Sequence, residues 1–140
     1  SYVKEEGSEP LQAATRIIEA AGDDILGVMG GFGARMLIDE WRRGEAGNMP
    51  ASHYGDVHSR IWNLLEEGDE KGARAIYERI LPLVLHDNLV VIKEVFVRRG
   101  VIANNTMRSP YGITAPDRHG WDEIDYLRAQ ASDLFTWKKS

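Results

Sequence analysis

The sequence predicts an α/β fold in which three parallel strands, each followed by a helix, precede a set of helices alone. In the first 50 of the 140 residues, short apolar runs alternate with segments of helical period. Strands that alternate with helices in this way are typical of parallel sheets with helical crossovers. After this part the apolar positions follow helical spacing only. The two patterns divide the chain into residues 1–52 and residues 53–140.

The first unit begins with a short strand that includes Tyr2-Val3. Ser8, in the turn that follows, is a candidate helix N-cap because its hydroxyl can accept a hydrogen bond from the first helical turn. Pro10 suits that first turn, where its missing N–H costs nothing. Apolar residues at helical spacing then run to Gly22, which ends the predicted helix.

The second and third units follow the same order. Ile25–Met29 is a short apolar run between turn residues, as expected of a buried strand. The next helix is predicted from Ala34 to Arg43, with its cationic residues at the carboxyl end. Ala46–Met49 is predicted as a weak third strand, which Pro50 stops.

The second half carries four predicted helices. The first two have apolar faces within 57–65 and 73–85, and Pro82 lies inside the second pattern, which predicts a kink. Leu89–Val97 is apolar except for two charged residues, so we expect burial on most sides. After an irregular connection, a final amphipathic helix is predicted from Ile124 to Phe135. The tryptophans lie beside core positions and are interpreted as packing residues: Trp41, Trp62, Trp121 and Trp137.

Three parallel strands do not make a closed sheet. An eight-stranded TIM (β/α)8 barrel needs about 250 residues. The alternation would supply the last three strands of such a barrel within residues 1–52, and residues 53–140 would form the final barrel helix and a helical extension. A small open α/β domain is the alternative, but it would leave both sheet edges exposed. We therefore expect the carboxyl-terminal part of a barrel plus extra helices, within one longer domain.

The composition excludes several classes of protein. The formal net charge is −5, which disfavours binding to nucleic-acid phosphates. No cysteine is present, so disulfides, thiolate nucleophiles and cysteine zinc sites are excluded, and a reducing compartment suits the chain. No apolar run approaches the roughly 18–20 residues that cross a bilayer, so neither a membrane span nor a membrane partner is expected.

Lys4 is the candidate catalytic residue. It lies where a strand runs into its carboxyl-side loop, the end at which β/α barrels place their active sites. Removal of water at such a site favours the neutral amine of a lysine, and a neutral amine can attack a ketone and form a Schiff base. Against this, Glu5 and Glu6 follow at once, and negative charge favours the ammonium form. From spacing alone, a solvated lysine in a charged loop is the stronger interpretation.

Two other patterns carry weaker signals. The glycine turn, Gly30-Gly31-Phe32-Gly33, precedes a helix, so its backbone amides can receive an anion, although tight-turn geometry explains it as well. His53 and His58 do not have the spacing of a metal pair on one helical face, and they are interpreted as surface or capping residues. No metal site is predicted, and a metal-dependent hydrolase is the least favoured function.

Four stretches of the chain, taken in their order and spacing, carry a resemblance to a known family. They are Tyr2-Val3-Lys4-Glu5-Glu6, Gly30-Gly31-Phe32-Gly33, Arg43–Met49, and a set of helical segments between Leu65 and Val101. Together they resemble the carboxyl-terminal half of the dihydrodipicolinate synthase / N-acetylneuraminate lyase family of class I aldolase-type barrels. The first three are similar to the sixth strand, to the turn after the seventh strand and to the entry into the eighth strand.

The resemblance implies an activity and a site. Lys4 would form the imine, and Gly30, Gly31, Asn48 and Met49 would border the substrate. That substrate would be pyruvate or a 2-keto-3-deoxy sugar acid, used in a lyase, aldolase or dehydratase reaction. No cofactor would be needed, because the lysine supplies the electrophile. The resemblance also implies a cytoplasmic enzyme and a homo-oligomer.

The resemblance implies a missing part as well. The family's acid/base tyrosine and carboxylate-binding loop would precede Ser1, so we expect the chain to be a segment of a longer polypeptide, with the amino-terminal half of the same barrel as its partner. The tail from Tyr111 to Ser140 resembles that of 2-keto-3-deoxy-acid dehydratases. The alternative is a non-catalytic helical interaction or oligomerisation module, with Leu89–Val97 as a subunit interface.

Overall fold

A computed structural model describes residues 1–108 and 113–136 of the chain. Its sheet has three parallel strands in the order β1-β2-β3: β1 Tyr2–Glu5, β2 Gly27–Gly30 and β3 Gly47–Asn48. The predicted parallel sheet is therefore confirmed. In its register, Lys4 lies beside Met29, and Met29 lies beside Gly47.

Six α-helices accompany the sheet within the described residues, and the first two pack against it. The first two follow β1 and β2, and the other four form the second half. Their bounds are α1 Pro10–Ala21, α2 Leu37–Arg42, α3 Gly55–Glu66, α4 Glu70–Leu85, α5 Leu89–Arg98 and α6 Arg118–Gln130. One-turn 3-10 helices lie at Gly22–Asp24, Phe32–Ala34, Ser52–Tyr54 and Ser132–Leu134.

The ends of α1 agree with the sequence prediction at Pro10 and Gly22 but not at the N-cap. Pro10 occupies the first helical position, and Gly22 follows the helix with φ 47°, a left-handed value that suits glycine. The predicted N-cap is wrong. Glu9, not Ser8, stands at the cap, and its side chain makes no capping hydrogen bond. The strand β2 also begins two residues later than expected, so Leu26 is 69% exposed instead of buried.

The two faces of the sheet have different environments. Val28 is fully buried, because its side of the sheet packs against α1. Side chains alternate along a strand, so Lys4 and Met29 lie on the opposite face. That face also carries Tyr2, which is 57% exposed. The exposed face of the sheet is the one that would line the interior of a barrel.

The core lies between α2, α3 and α4 and extends to α6. Ile61, Leu65, Ile80 and Leu83 belong to one buried cluster, and Ile124 joins it from α6. The predicted packing role of the tryptophans is confirmed for those described, since partly buried indoles pack against this cluster: Trp41, Trp62 and Trp121. Trp137, Tyr111 and the last residues of the tail lie outside the described residues.

Helix α5 differs from its prediction. Only Val91 and Val95 are buried, and Leu89 is 41% exposed. The helix contacts the turn Ser52–Tyr54 and contributes Val91 and Val95 to the core, whereas its other side chains are exposed or partly exposed. Burial on most sides was therefore a wrong expectation. None of the helices in the described part of the chain has the length and apolarity to span a bilayer.

Candidate active site

The carboxyl ends of the three strands open into a cleft of about 430 Å³, which we call the strand-end cleft. Its walls come from the sheet, from the glycine turn and from the connection between α4 and α5. Among the residues that line it are Lys4, Glu6, Phe32, Met49, Asp87 and Ile92. The cleft thus brings together two predicted site residues, Lys4 and Met49.

Lys4 meets a carboxylate inside this cleft. Its Nζ atom lies 3.0 Å from Glu6 Oε2, and the two side chains are 40% and 47% exposed. The backbone N–H of Phe32 donates to the other oxygen, Glu6 Oε1, at 3.0 Å. These contacts lower the pKa of Glu6, first through the Phe32 hydrogen bond and then through Lys4, so its carboxylate is charged at neutral pH.

The glycine turn is shaped around Glu6. A Cβ atom on Gly31 would lie 2.8 Å from Glu6 Oε1, so a larger residue here would displace the carboxylate from this position. Phe32 and Ala34 have φ values of 49° and 63°, in the left-handed region that side chains rarely adopt. The sequence left open whether this turn receives an anion or is only a tight turn. In this structure the Phe32 amide binds the Glu6 carboxylate of the same chain.

Gly30 and Asn48 contact Glu40, an acidic residue on the other face of the sheet. The Asn48 side chain donates to Glu40 Oε2, and a Cβ atom on Gly30 would lie 2.5 Å from Glu40 Cδ. Glu40 is 1% exposed, and burial, followed by the charge of Glu45, raises its pKa to about 8. Burial also raises the pKa of Glu45 to about 7. The side-chain amide of Asn48 is therefore hydrogen-bonded to Glu40. The backbone N–H of Met49 donates to the Gly30 carbonyl oxygen at 2.8 Å.

A histidine–aspartate pair at this cleft was not foreseen. His53 is 1% exposed, and its Nε2 atom lies 2.9 Å from Asp87 Oδ1. The expectation of a surface or capping residue is wrong for His53 and also for His58, which is 5% exposed. Burial, and then the charge of His53, lowers the pKa of His58 to about 4. Since His53 and Asp87 are 34 residues apart, no periodicity in the sequence connects them.

The segment that carries His53 is held by an ion pair. Arg99 Nη2 lies 2.6 Å from Asp56 Oδ2, and Arg99 Nη1 donates to the His53 carbonyl oxygen. Arg99 is 6% exposed, so the pair is shielded from water. The contacts fix α5 to the start of α3. Within residues 1–108 and 113–136, no group of three or more His, Cys, Asp or Glu side chains is arranged to hold a metal ion.

Comparison with known proteins finds a dehydratase and a dihydrodipicolinate synthase that are similar to this chain. The chain is 29% identical over 121 residues to an L-2-keto-3-deoxyarabonate dehydratase of Azospirillum brasilense, covering 84% of this chain and 39% of that protein. It also matches the crystal structure of dihydrodipicolinate synthase from Rhodopseudomonas palustris, with a TM-score of 0.80 and 25% identity. The match covers 92% of this chain and 45% of that chain. The resemblance to the dihydrodipicolinate synthase family is confirmed. No family model matches the chain.

The predicted fold class is confirmed by the same structural match. The chain spans less than half the length of the dihydrodipicolinate synthase and of the dehydratase that it matches. Its three parallel strands correspond to a carboxyl-terminal portion of the dihydrodipicolinate synthase barrel. The sheet order leaves β1 and β3 as edge strands within the described residues, as expected for one part of a closed barrel.

Proposed function

We propose that the protein forms a Schiff base between Lys4 and a 2-keto acid, and acts as a lyase, aldolase or dehydratase. The substrate would be pyruvate or a 2-keto-3-deoxy sugar acid. The observation that carries the proposal is the position of Lys4, at a strand end, within 3.0 Å of a carboxylate and in a cleft. The similarity to a dehydratase and a synthase of this family supports it.

The first step needs a neutral amine at Lys4. Glu6 is in contact with the ammonium group and can take one of its protons. The amine then attacks C2 of the keto acid, and the carbonyl oxygen becomes the hydroxyl of a carbinolamine. Protonation of that hydroxyl releases water and leaves an iminium ion, with Lys4 nitrogen bound to C2. Glu6 is placed to return the proton that this release of water requires.

The second step uses the iminium ion as an electron sink. Loss of a proton from C3 gives an enamine, which expels a hydroxyl group from C4 as water in a dehydration. Alternatively, the C4 hydroxyl group loses its proton as the C3–C4 bond cleaves, which releases an aldehyde and leaves the enamine of pyruvate on Lys4. Because the iminium ion formed on Lys4 is the electron sink, no metal or organic cofactor enters the proposal.

Other parts of the family expectation belong to this proposal. Gly30, Gly31, Asn48 and Met49 would border the substrate, Asn48 through its backbone because its amide binds Glu40. The amino-terminal half of the barrel would complete the site, and the assembled enzyme would be a cytoplasmic homo-oligomer. A helical interaction module is the alternative, but such a module has no need of the three-stranded sheet that carries Lys4.

Reductive trapping tests the proposal. The intact protein is incubated with pyruvate and sodium borohydride, and the modified peptide is identified by mass spectrometry. We expect one adduct, on Lys4. The Lys4→Ala variant should lose it, while Lys71→Ala, a matched change at an exposed lysine of α4, should keep it. Absence of an adduct in the wild type, or an adduct that persists in Lys4→Ala, would overturn the proposal.

A further inference from the structure

The pair formed by His53 and Asp87 lies beside the candidate catalytic group. Asp87 follows α4 and lines the strand-end cleft together with Lys4 and Glu6. Its side chain is 9% exposed, and that of His53 is fully buried. Lys4 and Glu6 lie at the end of β1 and Asp87 lies in the connection between α4 and α5, so these groups come from different walls of one cleft.

The position of Asp87 is well defined. His53 Nε2 holds Asp87 Oδ1 at 2.9 Å, and the His53 ring lies 4.0 Å from the Tyr54 ring and 6.2 Å from the Phe96 ring. The carbonyl group of His53 accepts a hydrogen bond from Arg99. Since two aromatic rings contact the histidine and its backbone is hydrogen-bonded, it fixes the carboxylate that it contacts.

One oxygen of this carboxylate has no assigned role. Oδ1 of Asp87 is engaged with His53, whereas no hydrogen bond to Oδ2 is found among the described residues. The neighbouring lining is mostly apolar, with Met49, Pro50 and Ile92. Apart from the Lys4–Glu6 pair, the charged groups of the cleft are Asp87 and Arg35. A fixed, nearly buried acceptor in apolar surroundings favours a ligand that brings its own hydrogen-bond donor.

We propose that Asp87, held by His53, is a specificity residue that accepts a hydrogen bond from a hydroxyl group of a 2-keto-3-deoxy sugar acid. This inference rests on the proposed function, because Lys4 must bind the keto carbon of the same molecule. Pyruvate has no hydroxyl group to offer, so it would leave this acceptor to water. A charged acceptor held in a mostly apolar wall favours the substrate whose hydroxyl group takes the place of that water.

The test compares two substrates in the intact protein. Turnover of 2-keto-3-deoxyarabonate and of 2-keto-3-deoxygluconate is measured for the wild type, Asp87→Ala and Asp87→Asn, and pyruvate is trapped with borohydride in each. Asp122→Asn, a change at an exposed carboxylate of α6, is the matched control. In Asp87→Ala, kcat/KM should fall roughly 10- to 100-fold for whichever of the two sugar acids the wild type turns over with the higher kcat/KM. Trapping of pyruvate on Lys4 should be unchanged, and Asp87→Asn should keep the fold while losing the charged acceptor.

The outcomes separate the two proposals. If the wild type gives no pyruvate adduct, the Schiff-base proposal itself fails. If trapping succeeds but Asp87→Ala and Asp87→Asn turn over both sugar acids like the Asp122→Asn control, the role of Asp87 is overturned alone. A loss of pyruvate trapping equal to the loss on the sugar acid would also overturn it, because such a loss reports damage to the whole site.

Discussion

The carboxylate of Glu6 joins Lys4 to the glycine turn: one oxygen lies 3.0 Å from Lys4 Nζ, and the other accepts the Phe32 backbone N–H at 3.0 Å. Two segments that are far apart in the chain therefore meet at one charged group. Sequence reasoning treated Glu6 only as a charge that opposes a neutral Lys4. In the structure Glu6 is also a base in contact with the amine, and it accepts a hydrogen bond from the glycine turn.

We expect Glu6→Gln to slow Schiff-base formation without abolishing it. The amide still accepts the Phe32 N–H, but it cannot take a proton from Lys4. Loss of a general base typically costs 10²- to 10⁴-fold, so the rate of pyruvate trapping should fall by about that factor. Glu9→Gln, at an exposed position before α1, is the control. A Glu6→Gln variant that reacts as fast as the control would remove Glu6 from the mechanism.

We expect Gly31→Ala to displace Glu6 from its position between Lys4 and Phe32. The new Cβ atom would lie 2.8 Å from Glu6 Oε1, closer than such contacts allow. Glu6 is a flexible, half-exposed side chain that can move aside, so the unfolding free energy should change by about 0.5 kcal/mol at most, whereas the trapping rate should fall because Lys4 loses its partner. Chemical denaturation and the trapping rate measure the two effects.

Gly55→Ala is the matched control for that change. Gly55 begins α3 with a helical φ of −58°, and a Cβ atom there meets nothing within 4 Å. Alanine should therefore be neutral or slightly stabilising. Equal behaviour of Gly31→Ala and Gly55→Ala would contradict the steric role of Gly31.

We expect Glu40→Gln to flatten the pH dependence of stability. The pKa of Glu40 is about 8 in the folded protein because of burial, against 4.5 for an ordinary glutamate. Between these values the unfolded chain has released the proton and the folded chain has kept it. The contribution of Glu40 to stability is thus fully present below pH 4.5, and it is lost as pH rises towards 8, at a limiting slope of about 1.4 kcal/mol per pH unit.

Glutamine keeps an acceptor for Asn48 and carries no titratable proton. The unfolding free energy of Glu40→Gln, measured by denaturant titration from pH 5 to 8, should exceed that of the wild type increasingly as pH rises. Glu45 titrates in both proteins and leaves a residual slope, since its pKa is also raised. Parallel curves for the two proteins would show that Glu40 is charged when buried, contrary to this account.

Local signals in the sequence predicted most of the elements and missed most of the side-chain partners. The start of α1 at Pro10 and its end before Gly22 follow from backbone restrictions that act within a few residues. The N-cap was misplaced by one residue, because several residues of a turn can compete for that position. The burial of His53 was missed because its partner Asp87 is 34 residues away, and a contact between distant segments leaves no periodic pattern.

The sequence by itself determined the order of strands and helices, their parallel arrangement and the position of Lys4 at a strand end. These properties depend on apolar spacing and turn residues, which act over short stretches of chain. Only the tertiary structure decided which charged groups meet: Glu6 with Lys4 and Phe32, Glu40 with Asn48, and His53 with Asp87. The physical reason is that packing of distant elements sets both the distance between two groups and their burial, and burial then sets their charge.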